Sequence, residues 1–216
     1  MEEWSDYATS TRMLAHIPHC AETAFYPFPV PTFSARVWDV TVIGNMNDFY
    51  YPHRVRLREL AWTVLRKRGY AVRVLRHPGY KRPVPLDTYV DASYARELSL
   101  SKVVLTCSGH QRAAFLKYVE VPMAGAVLGA DIPDDRGFVR RTTLELPLHA
   151  TDAELLGKIE HVLDHEEAWA AIAKPAHDLV RTYRTMDVYA QMFLQVCHAF
   201  FTRNTARIIW TPEVEA

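Results

Sequence analysis

Short runs of β-branched and aliphatic residues recur along this chain with helix-forming stretches between them, and that alternation leaves few folds open. Residues 38–44 (WDVTVIG) have the composition of a strand buried in a parallel sheet and end on Gly44-Asn45. Pro52 then stands where a first helical turn tolerates it, and Leu57, Leu60, Ala61, Val64 and Leu65 recur at helical spacing until Gly69 supplies a stop. Residues 70–75 (YAVRVL) give a second strand, followed by the turn residues His77, Pro78 and Gly79 and a proline-rich loop through Pro85. The pattern continues with a helix over 91–100, a strand over 102–106, a helix over 111–121, and strands over 126–130 and 142–146 separated by an acidic loop, 131–135. Such alternation predicts an α/β fold, a mainly parallel sheet with helices on both faces.

Three helices are expected to close the domain. Thr151 and Glu154 form a capping box ahead of the stripe Leu155, Leu156, Ile159, Val162 and Leu163. Two more stretches follow, over 166–183 with a kink expected at Pro175, and over 186–203. The first 36 residues hold Pro18, Pro27, Pro29 and Pro31 and read as a connector, extended apart from a short helix over 10–15; residues 37–203 form the domain and 204–216 a tail. A chain of 216 residues suits one such domain.

Charge excludes some functions. Lys plus Arg and Asp plus Glu both total 25, so no global positive field exists to hold a nucleic acid. The balance conceals an asymmetry: residues 51–82 carry ten basic side chains against Glu59 alone, whereas residues 151–167 carry six acids against Lys158. Most of these charges are expected to pair across helix faces, leaving one or two arginines for a phosphate. The sequence opens on Met1, Glu2 and Glu3 without a basic and apolar leader and holds no run of about 20 apolar residues, which predicts a cytoplasmic protein or one peripheral to a membrane. Three cysteines without CxxC spacing suggest reduced thiols.

Ligands of open parallel sheets bind beyond the carboxyl ends of the strands, so the loops after Gly44, Leu75, Thr106 and Ala130 carry the candidates. Cys107-Ser108-Gly109-His110 would open the helix over 111–121, where free N–H groups could meet a phosphate and Gly109 could let it approach. On that helix Lys117 and Glu120 share a face, as a surface ion pair or as partners for a pyrophosphate and ribose hydroxyls. Cys107 with His110 as its base could be a nucleophile, or a small residue of a phosphate loop. His16, His19 and Cys20 could begin a metal cluster, though three near neighbours rarely converge on one ion without a distant fourth ligand. The aromatics Phe25, Tyr26, Phe49, Tyr50 and Tyr51 fit sugar or base stacking and core packing equally.

Residues 101–131, SKVVLTCSGHQRAAFLKYVEVPMAGAVLGAD, resemble the group 1 glycosyltransferases of the GT-B fold, in particular the spore-maturation-type branch. Residues 16–27, 39–56 and 151–184 resemble, in order, the linker, first strand and helix, and closing helices of that family's second domain. The resemblance implies a single Rossmann-like domain, the C-terminal half of a GT-B fold. It implies a sugar transferred with retention from a UDP- or GDP-sugar, without metal or other cofactor, to a glycan, lipid or protein. The acceptor would be held by a further domain, a partner chain or a second copy. The donor set it implies is Gly44, Asn45, Arg54, Ser108, Gly109, His110, Lys117, Tyr118 and Glu120, with Arg54 and Lys117 stabilising the leaving diphosphate. Glu120 matches the second glutamate of the family's E-x7-E pattern. Arg112 stands where the first would be, and this departure favours the alternative of a non-catalytic nucleotide-sugar or glycan-binding module.

Overall fold

The computed structural model describes residues 17–79, 89–133 and 136–201. Five parallel strands, β1 (Trp38–Val42), β2 (Val72–Val74), β3 (Ser101–Leu105), β4 (Val127–Ala130) and β5 (Thr143–Glu145), form one sheet in the order β2-β1-β3-β4-β5. Alternate residues feed two cores. Val40, Val42, Val103, Leu105 and Val127 face one side, and Ile43, Val104, Leu128 and Ala130 the other. Burial on both faces explains why β4 is apolar throughout.

The helices are α1 (Pro52–Leu60), α2 (Asp91–Ser99), α3 (Lys117–Met123), α4 (Arg136–Thr142), α5 (Asp152–Asp164), α6 (Glu166–Tyr183) and α7 (Met186–Phe201). Pro52 occupies the first turn of α1, and the helical run continues through a π-type turn, Ala61–Leu65, and a tighter one, Arg66–Arg68. It stops at Gly69, whose φ of +97° only glycine adopts cheaply. Thr151 caps α5 through the expected reciprocal bonds with Glu154. Thr151→Ala is expected to lower stability by about 1 kcal/mol in a urea titration. Pro175 lies within α6 without ending it.

Two expectations are corrected. The helix over 111–121 starts only at Lys117, because Gly109 (φ +70°) and Arg112 (φ +50°) are left-handed and the intervening chain turns instead of coiling. The interval between β4 and β5 is not only an acidic loop: it contains α4, with Phe138 and Val139 packed into the core. The short helix expected over 10–15 lies outside the described residues.

Residues 17–36 lie against the domain. The Ala21 N–H donates to the Arg184 carbonyl at 2.8 Å, and Tyr26 is buried in the core. Arg36 donates to the carbonyls of Pro31, Ser99, Ser101 and Gly125, tying this segment to the amino end of β3. The opposed charge runs meet across α1 and α5: Arg56 pairs with Asp152 and Arg68 with Glu160. Among the described residues, no helix is long and apolar enough to cross a membrane.

Candidate functional site

The strand order reverses between β1 and β3, so the loops that follow them diverge from a crevice at the carboxyl edge of the sheet. Arg54, from α1, lies beneath this crevice and is 2% exposed. Its Nε donates to Thr106 Oγ1 at 3.1 Å, Nη1 to the Asn45 carbonyl at 2.7 Å and Nη2 to the Cys107 carbonyl at 3.1 Å. Its guanidinium rests on the Tyr51 ring, 4.1 Å from the centroid, and against Gly44. One side chain thus clasps both loops using neutral acceptors alone, and Arg54 makes no ion pair among the described residues. A buried guanidinium without a counter-charge leaves a positive field at the crevice.

That field reaches an adjoining cleft of about 230 Å³. Gly44 from the β1 loop, His77 from the β2 loop, Tyr94 from α2, and Lys117 and Glu120 from α3 line it. Burial pushes the Lys117 ammonium below its ordinary range, with Glu120 opposing and Arg54 adding to the shift. Burial likewise raises the Glu120 carboxyl, offset by Lys117. His77 is pulled down by burial and then by the positive charges of Lys117 and Arg54. Arg76 and Asp91 line the cleft as well, so with Arg54 behind it three cations stand against two carboxylates, and this partly desolvated site suits an anion that also carries hydroxyls. A larger depression, about 530 Å³, runs along the outer edge of β2 beside Arg58, Trp62 and Arg73, and none of the expected site residues lines it.

Of the nine expected donor residues, Gly44, Lys117 and Glu120 line the cleft. Arg54 and Asn45 stand behind it. The Asn45 side-chain oxygen accepts from the Asn47 N–H at 3.0 Å, shaping the β1 loop. Ser108 is consumed by Asp131, which accepts from both its N–H and its hydroxyl. Gly109 faces Tyr51 where room for a phosphate was expected: a Cβ there would lie 2.9 Å from Tyr51 Cε1. The His110 N–H donates to the Tyr50 carbonyl at 3.1 Å, and its ring packs near Phe49. Tyr118 is buried, its hydroxyl donating to the Asp131 carbonyl at 2.9 Å.

With α3 beginning at Lys117, residues 107–110 offer no helix N-terminus, and that expectation falls. So does the nucleophile, since burial raises the Cys107 thiol and no helix end lowers it. Lys117 and Glu120 are not a surface pair, because both are largely withdrawn from solvent in the cleft. The Cys20 thiol lies 3.2 Å from Met186 Sδ, while His16 is outside the described residues. Of the clustered aromatics, Tyr26 is core, Tyr51 supports Arg54, and Phe49 and Tyr50 are exposed.

Sequence reasoning missed Asp131, His77 and Tyr94. Asp131 directly follows β4 and is 2% exposed. Besides Ser108 it accepts from Arg112 Nη1 at 3.2 Å, and Arg112 Nη2 reaches the Ile132 carbonyl at 2.9 Å. The position of Asp131 at the carboxyl end of a strand was the signal available for it. His77 sits in a strand-end loop for the same reason, whereas nothing local marks Tyr94.

No protein-family model matches the chain, and no curated protein matches it either. Among solved structures, the fold is similar to sucrose-phosphate synthase from Thermosynechococcus elongatus, with a TM-score of 0.61 at 12% identity. The similarity covers 94% of this chain and 56% of that one, so the chain spans little more than half the length of that structure. At this identity the likeness shows architecture: a five-stranded parallel α/β domain resembling one half of a GT-B glycosyltransferase.

Proposed function

We propose that this chain is the donor-binding half of a glycosyltransferase and that its cleft holds the nucleoside diphosphate of a sugar donor. The observation that carries the reading is the convergence of Lys117 and Glu120 on one partly desolvated cleft, at a strand-order reversal made positive by Arg54, which makes no ion pair among the described residues. Glu120 accepts hydrogen bonds from ribose hydroxyls. Lys117 meets the diphosphate, and Arg54, one layer behind Gly44, holds both loops in place and contributes its charge. In transfer, the bond between the anomeric carbon and the diphosphate oxygen breaks, the acceptor hydroxyl oxygen bonds to that carbon, and the hydroxyl proton passes to the departing diphosphate oxygen. The electron pair leaves with the diphosphate, whose growing charge the two cations stabilise without metal. The acceptor binds to a further domain or partner facing the cleft, and the donor is a UDP- or GDP-sugar transferred with retention.

Glu120→Gln keeps the volume and removes the carboxylate's charge-assisted bonds. It is expected to weaken UDP or GDP binding at least about tenfold by calorimetry. Unchanged affinity would remove Glu120 from the ribose site.

A second reading, nucleotide-sugar binding without transfer, is favoured by one observation. Arg112, standing where the resemblance places a glutamate, is engaged with Asp131 and the Ile132 carbonyl. Incubation with UDP- and GDP-sugars and candidate acceptors, with a candidate acceptor-domain partner present and absent, separates the two. Sugar transfer supports the enzyme, and saturable binding with no turnover supports the module.

A further inference from the structure

Tyr94 lines the cleft, and its hydroxyl is buried with no hydrogen-bond partner among the described residues. A buried hydroxyl left unpaired costs free energy that a phenylalanine in the same place would not. The ring is fixed, since Tyr94 packs against the core cluster that contains Tyr26 and Leu98. The hydroxyl therefore has a defined position rather than a rotor's choice of partners. Glu120 lies on the facing helix, close enough for its charge to act on Tyr94. Burial, reinforced by that charge, holds the phenol well above its usual range, so at neutral pH it keeps its proton and acts as a donor. Tyr94 and Glu120 thus bring a donor and an acceptor carboxylate to the lining of one cleft. A vicinal diol satisfies both, because each sugar hydroxyl donates one hydrogen bond and accepts others.

We propose that Tyr94 is the residue by which this cleft selects a ribonucleoside, its O–H donating to a ribose hydroxyl oxygen while Glu120 accepts from the same diol. The inference rests on the nucleoside-diphosphate reading above. Tyr94 determines specificity and takes no part in bond breaking. A site built to hydrogen-bond a hydroxyl discriminates against a ligand lacking it, because the buried polar groups are then left unpaired.

The test is calorimetric titration of wild type and Tyr94→Phe with UDP or GDP, whichever wild type binds, and with its 2′,3′-dideoxy counterpart. Melting curves of both ligand-free proteins complete it. The expected result has three parts. Tyr94→Phe raises the melting temperature of the free protein, weakens the ribonucleotide roughly tenfold, and leaves the dideoxynucleotide within about twofold of wild type. Equal ribonucleotide affinity in the two proteins would overturn the role, as would an equal loss for both ligands, which would place the hydroxyl on the base or phosphate. A lowered melting temperature would also overturn it, since the hydroxyl would then be satisfied in the free protein. If wild type binds no nucleoside diphosphate, the functional reading itself fails. If wild type binds and only the Tyr94→Phe pattern is absent, that reading stands and this inference alone is lost.

Discussion

Replacing Arg54 with leucine is expected to weaken nucleoside diphosphate binding at least about a hundredfold and to destabilise the fold by about 3 kcal/mol. Three guanidinium nitrogens serve Thr106 Oγ1 and the carbonyls of Asn45 and Cys107, so the β1 and β3 loops lose their common anchor at once. The acceptors are left in a buried site that a leucine cannot hydrate. Binding suffers for two reasons: the positive field at the crevice disappears, and Gly44, which lines the cleft, loses the group it rests on. Arg54→Lys separates them. A lysine keeps the charge and cannot satisfy three acceptors arranged around a planar fork, so it should lose stability like leucine and retain more of the affinity. Calorimetry and urea unfolding measure the two effects. Wild-type affinity in Arg54→Leu would show that Arg54 serves the fold alone.

Gly44→Ala carries the second large effect, an expected loss of about 3 kcal/mol in urea unfolding. Gly44 has φ +102°, which strains any other residue, and a Cβ there would lie 2.8 Å from both Cζ and Nη1 of Arg54. Strain and displacement of the clasp add together. Because the collision is with Arg54 itself, Gly44→Ala combined with Arg54→Leu should cost about 1 kcal/mol less than the two changes summed. Strict additivity would mean that only the backbone angle matters.

The architecture was legible because it rests on local signals. A run such as 38–44 is apolar enough to need cover on both faces, and the parallel sheet follows from it. Thr151 and Glu154 announce α5, and Glu166–Tyr183 forms despite Pro175 because its apolar stripe, including Trp169, Ala173, Ala176 and Val180, still packs. The errors arose where contacts distant in sequence set the backbone. The chain at 109–116 is held out of a helix by left-handed Gly109 and Arg112, and the Arg112 side chain is tied to Asp131, nineteen residues on. The segment holding α4 is rich in arginine, and the adjacent pair Phe138 and Val139 that it packs into the core gives too little periodicity to mark a helix.

For the candidate site, loop position and helical spacing already pointed to Gly44, Lys117 and Glu120, which line one cleft. Ser108, Gly109 and His110 were placed by the supposed helix end, and their hydrogen bonds and packing serve the two loops instead. Tyr94 belongs to a helix whose sequence shows no sign of facing Glu120, so only the folded chain brings the phenol and the carboxylate together. The opposed charge runs resolved as pairing predicted, Arg56 with Asp152 and Arg68 with Glu160, while Arg54, among the same ten cations, is buried without a carboxylate partner among the described residues.

The central claim is that the cleft recognises a nucleoside diphosphate through its diphosphate and its ribose together. Calorimetric titration of the wild-type chain with UDP, GDP and inorganic pyrophosphate, in metal-free buffer, addresses it most directly. The account expects one-to-one binding of at least one nucleoside diphosphate in the micromolar range, and binding of pyrophosphate at least about tenfold weaker. Failure of both nucleoside diphosphates to bind at millimolar concentration, or pyrophosphate binding as tightly as they do, would contradict it.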